Sequence, residues 1–173
     1  MRKTVAVLIA PLALLVAACG SSSSSTTSST ASKAPVVLST RDIPGLGAVL
    51  VNGAGRTLYT FAPDKDKSVT CIGGCASAWP PLTTSSTATP ATSGQVNAAL
   101  VASDPDPDGG RVITYAGWPL YLYVADSAAG TVHGQSIKSA GGLWYAIAPS
   151  GKVITKRPKA TSSTTTGSGG SGY

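Results

Sequence analysis

The side chains in this 173-residue sequence whose types could do chemistry are few: three cysteines, one histidine and seven carboxylates, all of them aspartate. Cys71 and Cys75 are separated by Ile72, Gly73 and Gly74, and two glycines in so short a gap let the chain fold until the sulfurs meet. The pair reads as a disulfide. The alternative is a copper or zinc centre of Cys71, Cys75 and His133. His133 lies seven residues after Asp126 as Cys71 lies seven after Asp64, and two thiolates with an imidazole leave one coordination position open. Covalent haem attachment is a poor match, since it has two residues between the cysteines and a histidine after the second, whereas Ala76 follows Cys75. Asp104, Asp106 and Asp108 alternate as at the start of a calcium loop. The twelfth position, however, is Tyr115 where a bidentate glutamate belongs, and the chain contains no glutamate. A solvated acidic hairpin turn is the expectation there. No Gly-x-Ser-x-Gly elbow occurs and the aspartates fall almost all in turns, so the sequence predicts no catalytic residues, no enzyme and no cofactor.

The third cysteine stands in a different context. Arg2 and Lys3 precede an apolar stretch from Val5 to Ala18 that ends at Cys19. That stretch contains Pro11 and is shorter than the roughly 20 residues a membrane-crossing helix needs, so residues 1–18 read as a cleavable signal peptide. Leu15-Val16-Ala17-Ala18-Cys19 resembles the lipobox of bacterial lipoproteins, which implies cleavage ahead of Cys19 and a thioether lipid on its sulfur. Two acyl chains, at about 0.8 kcal/mol per buried methylene, would hold the protein stably on the outer face of the cytoplasmic membrane. Residues 19–35 read as a Ser/Thr-rich tether with a mean reach of roughly 20–24 Å, and residues 158–173 as a disordered Ser/Thr/Gly tail. In such a compartment disulfides are permitted. The net charge of +6 is mild, because Arg2 and Lys3 belong to the leader. It suits lipid headgroups, a wall polymer, a glycan or an envelope protein as partner, and without a basic stripe interleaved with aromatics it does not suggest nucleic acid.

The elements that must position these groups lie in a body of about 120 residues, 36–157, enough for one core. Its pattern is short β-rich runs broken by Gly, Asn, Asp and Pro. Ala48–Val51 and Arg56–Phe61 around Asn52-Gly53 read as one hairpin, with Asn-Gly supplying positive φ. Leu100–Ser103 and Arg111–Tyr115 read as a second. Leu120–Val124 reads as a strand after the Ala116–Pro119 turn, and Leu143–Ile147 with Val153–Thr155 as a closing hairpin, giving an antiparallel meander. Leu58-Tyr59-Thr60-Phe61-Ala62-Pro63-Asp64 and Leu120-Tyr121-Leu122-Tyr123-Val124-Ala125-Asp126 share one template, and each is followed by a tryptophan, Trp79 or Trp144. Alternation places Tyr59 with Phe61, and Tyr121 with Tyr123, on one face of a strand and the leucines on the other. Asp64 and Asp126 fall just past the strands, where a carboxylate can accept N–H groups of the next turn. The aromatic set reads as core before it reads as a platform for sugars.

The doubled motif resembles that of secreted-repeat lipoproteins named for Tyr-x-aromatic-x-x-Asp. Cys71 to Leu82, His133-Gly134-Gln135-Ser136 and Gly141 to Tyr145 add to the resemblance. It implies an exported, often lipid-anchored β-rich domain, here with repeats at about 45–82 and 111–155. The fold class expected is all-β, a small antiparallel sandwich or partly closed barrel of two pseudo-repeats with a short helical turn near Cys75–Trp79. The function expected is a non-catalytic envelope binding or structural module, with the Cys71, Cys75 and His133 redox or metal centre as its rival.

Overall fold

A computed structural model of the protein describes residues 36–66, 68–85 and 89–157. The signal expected at 1–18, the lipid site Cys19, the tether at 19–35 and the tail at 158–173 lie outside the described residues.

Among the described residues, ten short strands, two 3-10 turns and one short helix make up the body. β1 (Val37–Ile43) and β2 (Gly47–Asn52) form an antiparallel hairpin from Ile43↔Gly47 to Leu38↔Asn52, and β5 (Ala91–Thr92) adds to the other edge of β1 in parallel. β6 (Val101–Pro105) and β7 (Arg111–Tyr115) form the equivalent hairpin, with Val101 opposite Tyr115. The other edge of β7 is shared by β8 (Trp118–Pro119) and β4 (Thr83–Thr84). The third sheet places β10 (Gly142–Ala146) between β9 (Ile137–Ser139) and β3 (Tyr59–Phe61). No sheet closes into a barrel, and the short sheets packed about a shared apolar interior fit a sandwich.

Two turns show why the chain reverses where it does. Ala116-Gly117 and Ala140-Gly141 each have two successive residues at positive φ, 50° and 81°, then 51° and 84°, the twist that tight two-residue hairpins require. The β2 turn works differently from its Asn-Gly reading. The positive φ falls on Gly55, at 75°, while the Asn52 side chain accepts the N–H groups of Ala54 and Arg56. An Asx-type side-chain bond therefore replaces the left-handed asparagine.

The apolar interior has two parts, and alternation along the chain assigns residues to them. Val49 and Val51 enter the first while Leu50 enters the second, so β2 is buried on both faces. Leu58 and Leu120 enter the second part, and Tyr59 and Tyr121 the first. The helix α1 (Gly74–Ala78) is capped by Trp79, whose N–H donates to the Cys75 carbonyl, close to the turn expected from sequence.

The meander does not hold. β3 pairs with β10 across more than 80 residues, Phe61 facing Trp144 and Tyr59 facing Ala146, and β1 with β5 is parallel. Leu120–Val124 is not a strand, because only Tyr121 bridges, to Tyr59 and to Pro81. The backbone there is satisfied by scattered partners: Leu122 N–H donates to the Pro80 carbonyl and Val124 N–H to the Ala78 carbonyl. Each hairpin touches its own motif at the leucine, Leu58 N–H donating to the Leu50 carbonyl and Leu120 N–H to the Ile113 carbonyl. Each motif pairs with the tryptophan segment that follows the other.

Candidate functional site

The two motifs meet at their tyrosines. Tyr59 N–H donates to the Tyr121 carbonyl and Tyr121 N–H to the Tyr59 carbonyl, both at 2.9 Å. This reciprocal pair is the pseudo-twofold centre of the molecule. From it the phenols run outward and cross: the Tyr59 hydroxyl donates to Asp126 Oδ2 at 2.5 Å, and the Tyr121 hydroxyl to Asp64 Oδ2 at 2.6 Å. Each tyrosine therefore binds the aspartate of the opposite repeat. Both aspartates and both tyrosines are fully buried.

The second carboxylate oxygen in each case does what the sequence indicates, holding the following turn. Asp64 Oδ1 accepts the Thr70 N–H at 2.9 Å and the Thr70 hydroxyl at 2.5 Å. Asp126 Oδ1 accepts the His133 N–H at 2.9 Å and lies 3.1 Å from His133 Nδ1. The Tyr59 phenol also receives an N–H from Gly134, one residue further on, at 3.2 Å. The structural equivalents are thus Thr70 with His133, and Cys71 with Gly134. Cys71 and His133 do not occupy equivalent places. Burial raises both phenols well above the ordinary range, and the hydrogen-bonded carboxylates push them further, so they stay protonated. Burial also raises the carboxyl of Asp64, opposed by hydrogen bonds from Thr70 and Tyr121.

Four further aromatics form a column. Phe61, Trp144, Trp79 and Tyr123 stack in that order with centroids 4.2, 3.9 and 4.1 Å apart, so Phe61 and Tyr123 each lie on the tryptophan that follows the other repeat's motif. Tyr59 meets Trp79 edge-on at 5.5 Å and Tyr121 meets Trp144 edge-on at 5.2 Å. Such offset and edge contacts suit the ring quadrupoles. The column breaks its symmetry at one atom: Trp144 Nε1 donates to the Ser139 carbonyl, while Trp79 Nε1 is buried without a partner.

Cys71 and Cys75 are joined in a disulfide across α1's first turn, with Cα atoms 5.2 Å apart. Among the described residues no three His, Cys, Asp or Glu side chains gather as metal ligands, so Cys71, Cys75 and His133 are not brought together as a centre. Asp104 lies in β6, opposite Val112, and not in the expected turn; the turn begins at Asp106, whose Oδ1 accepts the Asp108 N–H, and Asp108 accepts the Gly73 N–H at 3.2 Å.

The family described as a secreted repeat of unknown function matches residues 41–83 and 103–148, just over half of the chain. The chain belongs to that family. Its two secreted-repeat stretches are the two interlocked halves seen here, each running from a hairpin through the motif, the second as far as its tryptophan strand and the first to Thr83. Membership fits an extracytoplasmic protein, and among the described residues no helix is long and apolar enough to cross a membrane. No curated protein and no solved structure matches the chain.

Two residues important to the secreted-repeat centre were not among the site residues expected from the sequence. Arg56 clamps the second motif, Nε on the Asp126 carbonyl at 2.9 Å and a terminal nitrogen on the Tyr123 carbonyl at 2.8 Å. Gln135, nearly buried, accepts the Ala146 N–H at 2.8 Å and donates to the carbonyls of Ile154 and Lys156. An arginine opening an expected strand and a glutamine within a motif stretch look like solvated residues until their partners are known.

Proposed function

We propose that this is a lipid-anchored extracytoplasmic module that binds an anionic envelope polymer and performs no catalysis, with Cys19 carrying the anchor. The observation that carries the reading is the inward closure of the motif. Tyr59, Asp126, Tyr121 and Asp64 satisfy one another inside the core, which is the work of an architectural joint. A catalytic acid or base must instead reach a substrate proton.

The surface offers a different feature. An open groove of about 580 Å³, within the range of small-ligand sites, is lined by Leu46, Gln95, Pro149, Ile154, Thr155 and Lys156. No carboxylate lines it, and Lys152 and Arg157 are exposed close by in sequence. An apolar floor with amide, hydroxyl and ammonium donors suits a sugar chain bearing phosphate or carboxylate groups. Co-sedimentation of the purified protein with a phosphodiester-bearing wall polymer tests this. Binding should weaken in high salt and in a Lys152→Ala, Lys156→Ala variant, because exposed charge pairs are screened over about 8–10 Å at moderate ionic strength. Equal binding to the same polymer stripped of phosphate overturns the anionic ligand. Stoichiometric copper, iron or zinc in protein purified from its native envelope overturns the module reading in favour of a metal or redox protein.

A further inference from the structure

The aromatic column and the crossed phenol–carboxylate pairs have a property that neither packing nor polymer binding uses. Oxidising a tyrosine by one electron near neutral pH requires its phenolic proton to leave at the same time. Tyr59 already donates that proton to Asp126 Oδ2 at 2.5 Å. The same carboxylate's other oxygen lies 3.1 Å from Nδ1 of His133, whose side chain is 65% exposed, so a proton placed on Asp126 has a titratable neighbour open to water. The equivalent carboxylate, Asp64, ends on Thr70, a hydroxyl that does not titrate in this range.

The electron path is equally one-sided. The column runs from half-buried Tyr123 through Trp79 and Trp144 to buried Phe61. Phenylalanine is the hardest of these rings to oxidise, so that end is closed. Tyr59 meets Trp79, the first tryptophan in from the surface, edge-on. We propose that this column is an oxidation sink, in which an oxidising equivalent captured at Tyr123, whose phenolic proton is lost to water and regained as an electron arrives from Trp79, passes through Trp79 and settles on Tyr59 as Asp126 takes that phenol's proton.

The step balances. A one-electron oxidant of the oxygen-radical class is reduced by one electron, Tyr59 supplies that electron, and its O–H bond breaks with the proton passing to Asp126. A neutral phenoxyl radical faces a protonated carboxyl. One electron from a small reductant of the phenol or ascorbate class, whose own proton goes to water, restores the resting pair as the Asp126 proton returns to the Tyr59 oxygen. His133 is a positioning and proton-exchange residue here, since it touches Asp126 and not Tyr59 itself.

The experiment is flash photo-oxidation of the full-length protein with a ruthenium polypyridyl sensitiser and a sacrificial acceptor, followed by freeze-quench electron paramagnetic resonance. A long-lived neutral tyrosyl radical should form in the wild type and in Tyr121→Phe and Tyr145→Phe, form more slowly in Tyr123→Phe, and be lost in Tyr59→Phe. His133→Ala, a change at an exposed side chain, should still fold and melt cooperatively while slowing radical formation and altering its solvent deuterium isotope effect. A tyrosyl radical of unchanged yield in folded Tyr59→Phe overturns the proposal. If Tyr59→Phe does not fold, the other three phenylalanine variants decide: loss of the signal in Tyr121→Phe or Tyr145→Phe overturns it, and the pattern above supports it.

Discussion

Two phenols that each reach for the carboxylate of the other repeat make the motif residues a matched set. Tyr59→Phe would leave Asp126 buried with one oxygen unpartnered, and Tyr121→Phe would do the same to Asp64. Hydrogen bonds to charged groups contribute about 1.5–3 kcal/mol, so each variant should lose about that much in urea unfolding. A cycle pairing Tyr59→Phe with Asp126→Asn should show strong coupling, whereas Tyr59→Phe with Asp64→Asn should be closer to additive, because the bonds cross. Coupling in the opposite pattern would mean that each repeat closes on itself. The carboxyl of Asp64 adds a pH dependence. Its folded value is raised above the ordinary 3.8 by burial, so its contribution to stability is full below that value and is lost as pH rises through the folded one. Asp64→Asn should therefore gain on the wild type as pH rises from about 4, and a widening deficit would show that the carboxylate form is the favoured one. Half of this was legible. The position of each aspartate after its motif indicated a carboxylate accepting turn N–H groups, and Thr70 and His133 are those turns. The second oxygen was not legible, since a motif read along one chain segment carries no information about which copy of the tyrosine it meets.

At the scale of elements, the hairpins with local turn chemistry were readable and the long-range strand pairs were not. The β6–β7 hairpin follows from Asp and Gly between two alternating runs, and its register is set within fifteen residues. The β3–β10 pair is set instead by aromatic burial, with Phe61 and Trp144 stacking where they face one another. Leu120–Val124 has the same composition as a strand, yet its partner is the irregular Ala78–Pro81 stretch after α1, so it bridges at one residue only. Close packing of the column makes two glycines informative. A methyl group at Gly134 would lie 2.8 Å from Tyr59 Cζ and 2.9 Å from two ring atoms of Trp79, all buried and rigid. Gly134→Ala should cost about 1–3 kcal/mol or more by overpacking, and should alter near-ultraviolet dichroism because it displaces the stacked rings. Gly74, in the first turn of α1, has open space around its added methyl. Gly74→Ala should be neutral or stabilise by about 0.4–1 kcal/mol through the unfolded chain, and a large loss there would show that α1 needs the glycine for a reason not visible in its packing.

Across the whole molecule the two repeats are not two small domains side by side. Each supplies one tyrosine, one aspartate and one tryptophan segment to the other, so neither half contains a complete core. The local Cys71–Cys75 bridge cannot substitute for this. It closes a five-residue ring in the first half only, and its loss by Cys71→Ser, Cys75→Ser should cost about 2 kcal/mol, below the about 3 kcal/mol of a 15-residue loop, while the sheets persist. Severing the chain between Gln95 and Val96, in the connection from β5 to β6, tests the interlock directly. Fragment 36–95 keeps Tyr59 and Asp64 but lacks Asp126 to receive the first and Tyr121 to satisfy the second. Fragment 96–157 has the converse deficit. Alone, each exposes half of an aromatic column and buries or hydrates unpaired carboxylates, and chains of about 60 residues bury only about 60% of their unfolded surface, which leaves little stability to offset that loss. Mixed in equal amounts they should associate, restore the near-ultraviolet dichroism of the stacked tryptophans and melt as one cooperative, concentration-dependent unit. A second copy of fragment 36–95 is an alternative partner, because the pseudo-twofold offers Tyr59 of one copy to Asp64 of the other. That outcome is a dimer and still an interlock. A folded monomeric fragment, with a cooperative melt independent of concentration, would show that the crossing bonds decorate two independent repeats and do not hold them together.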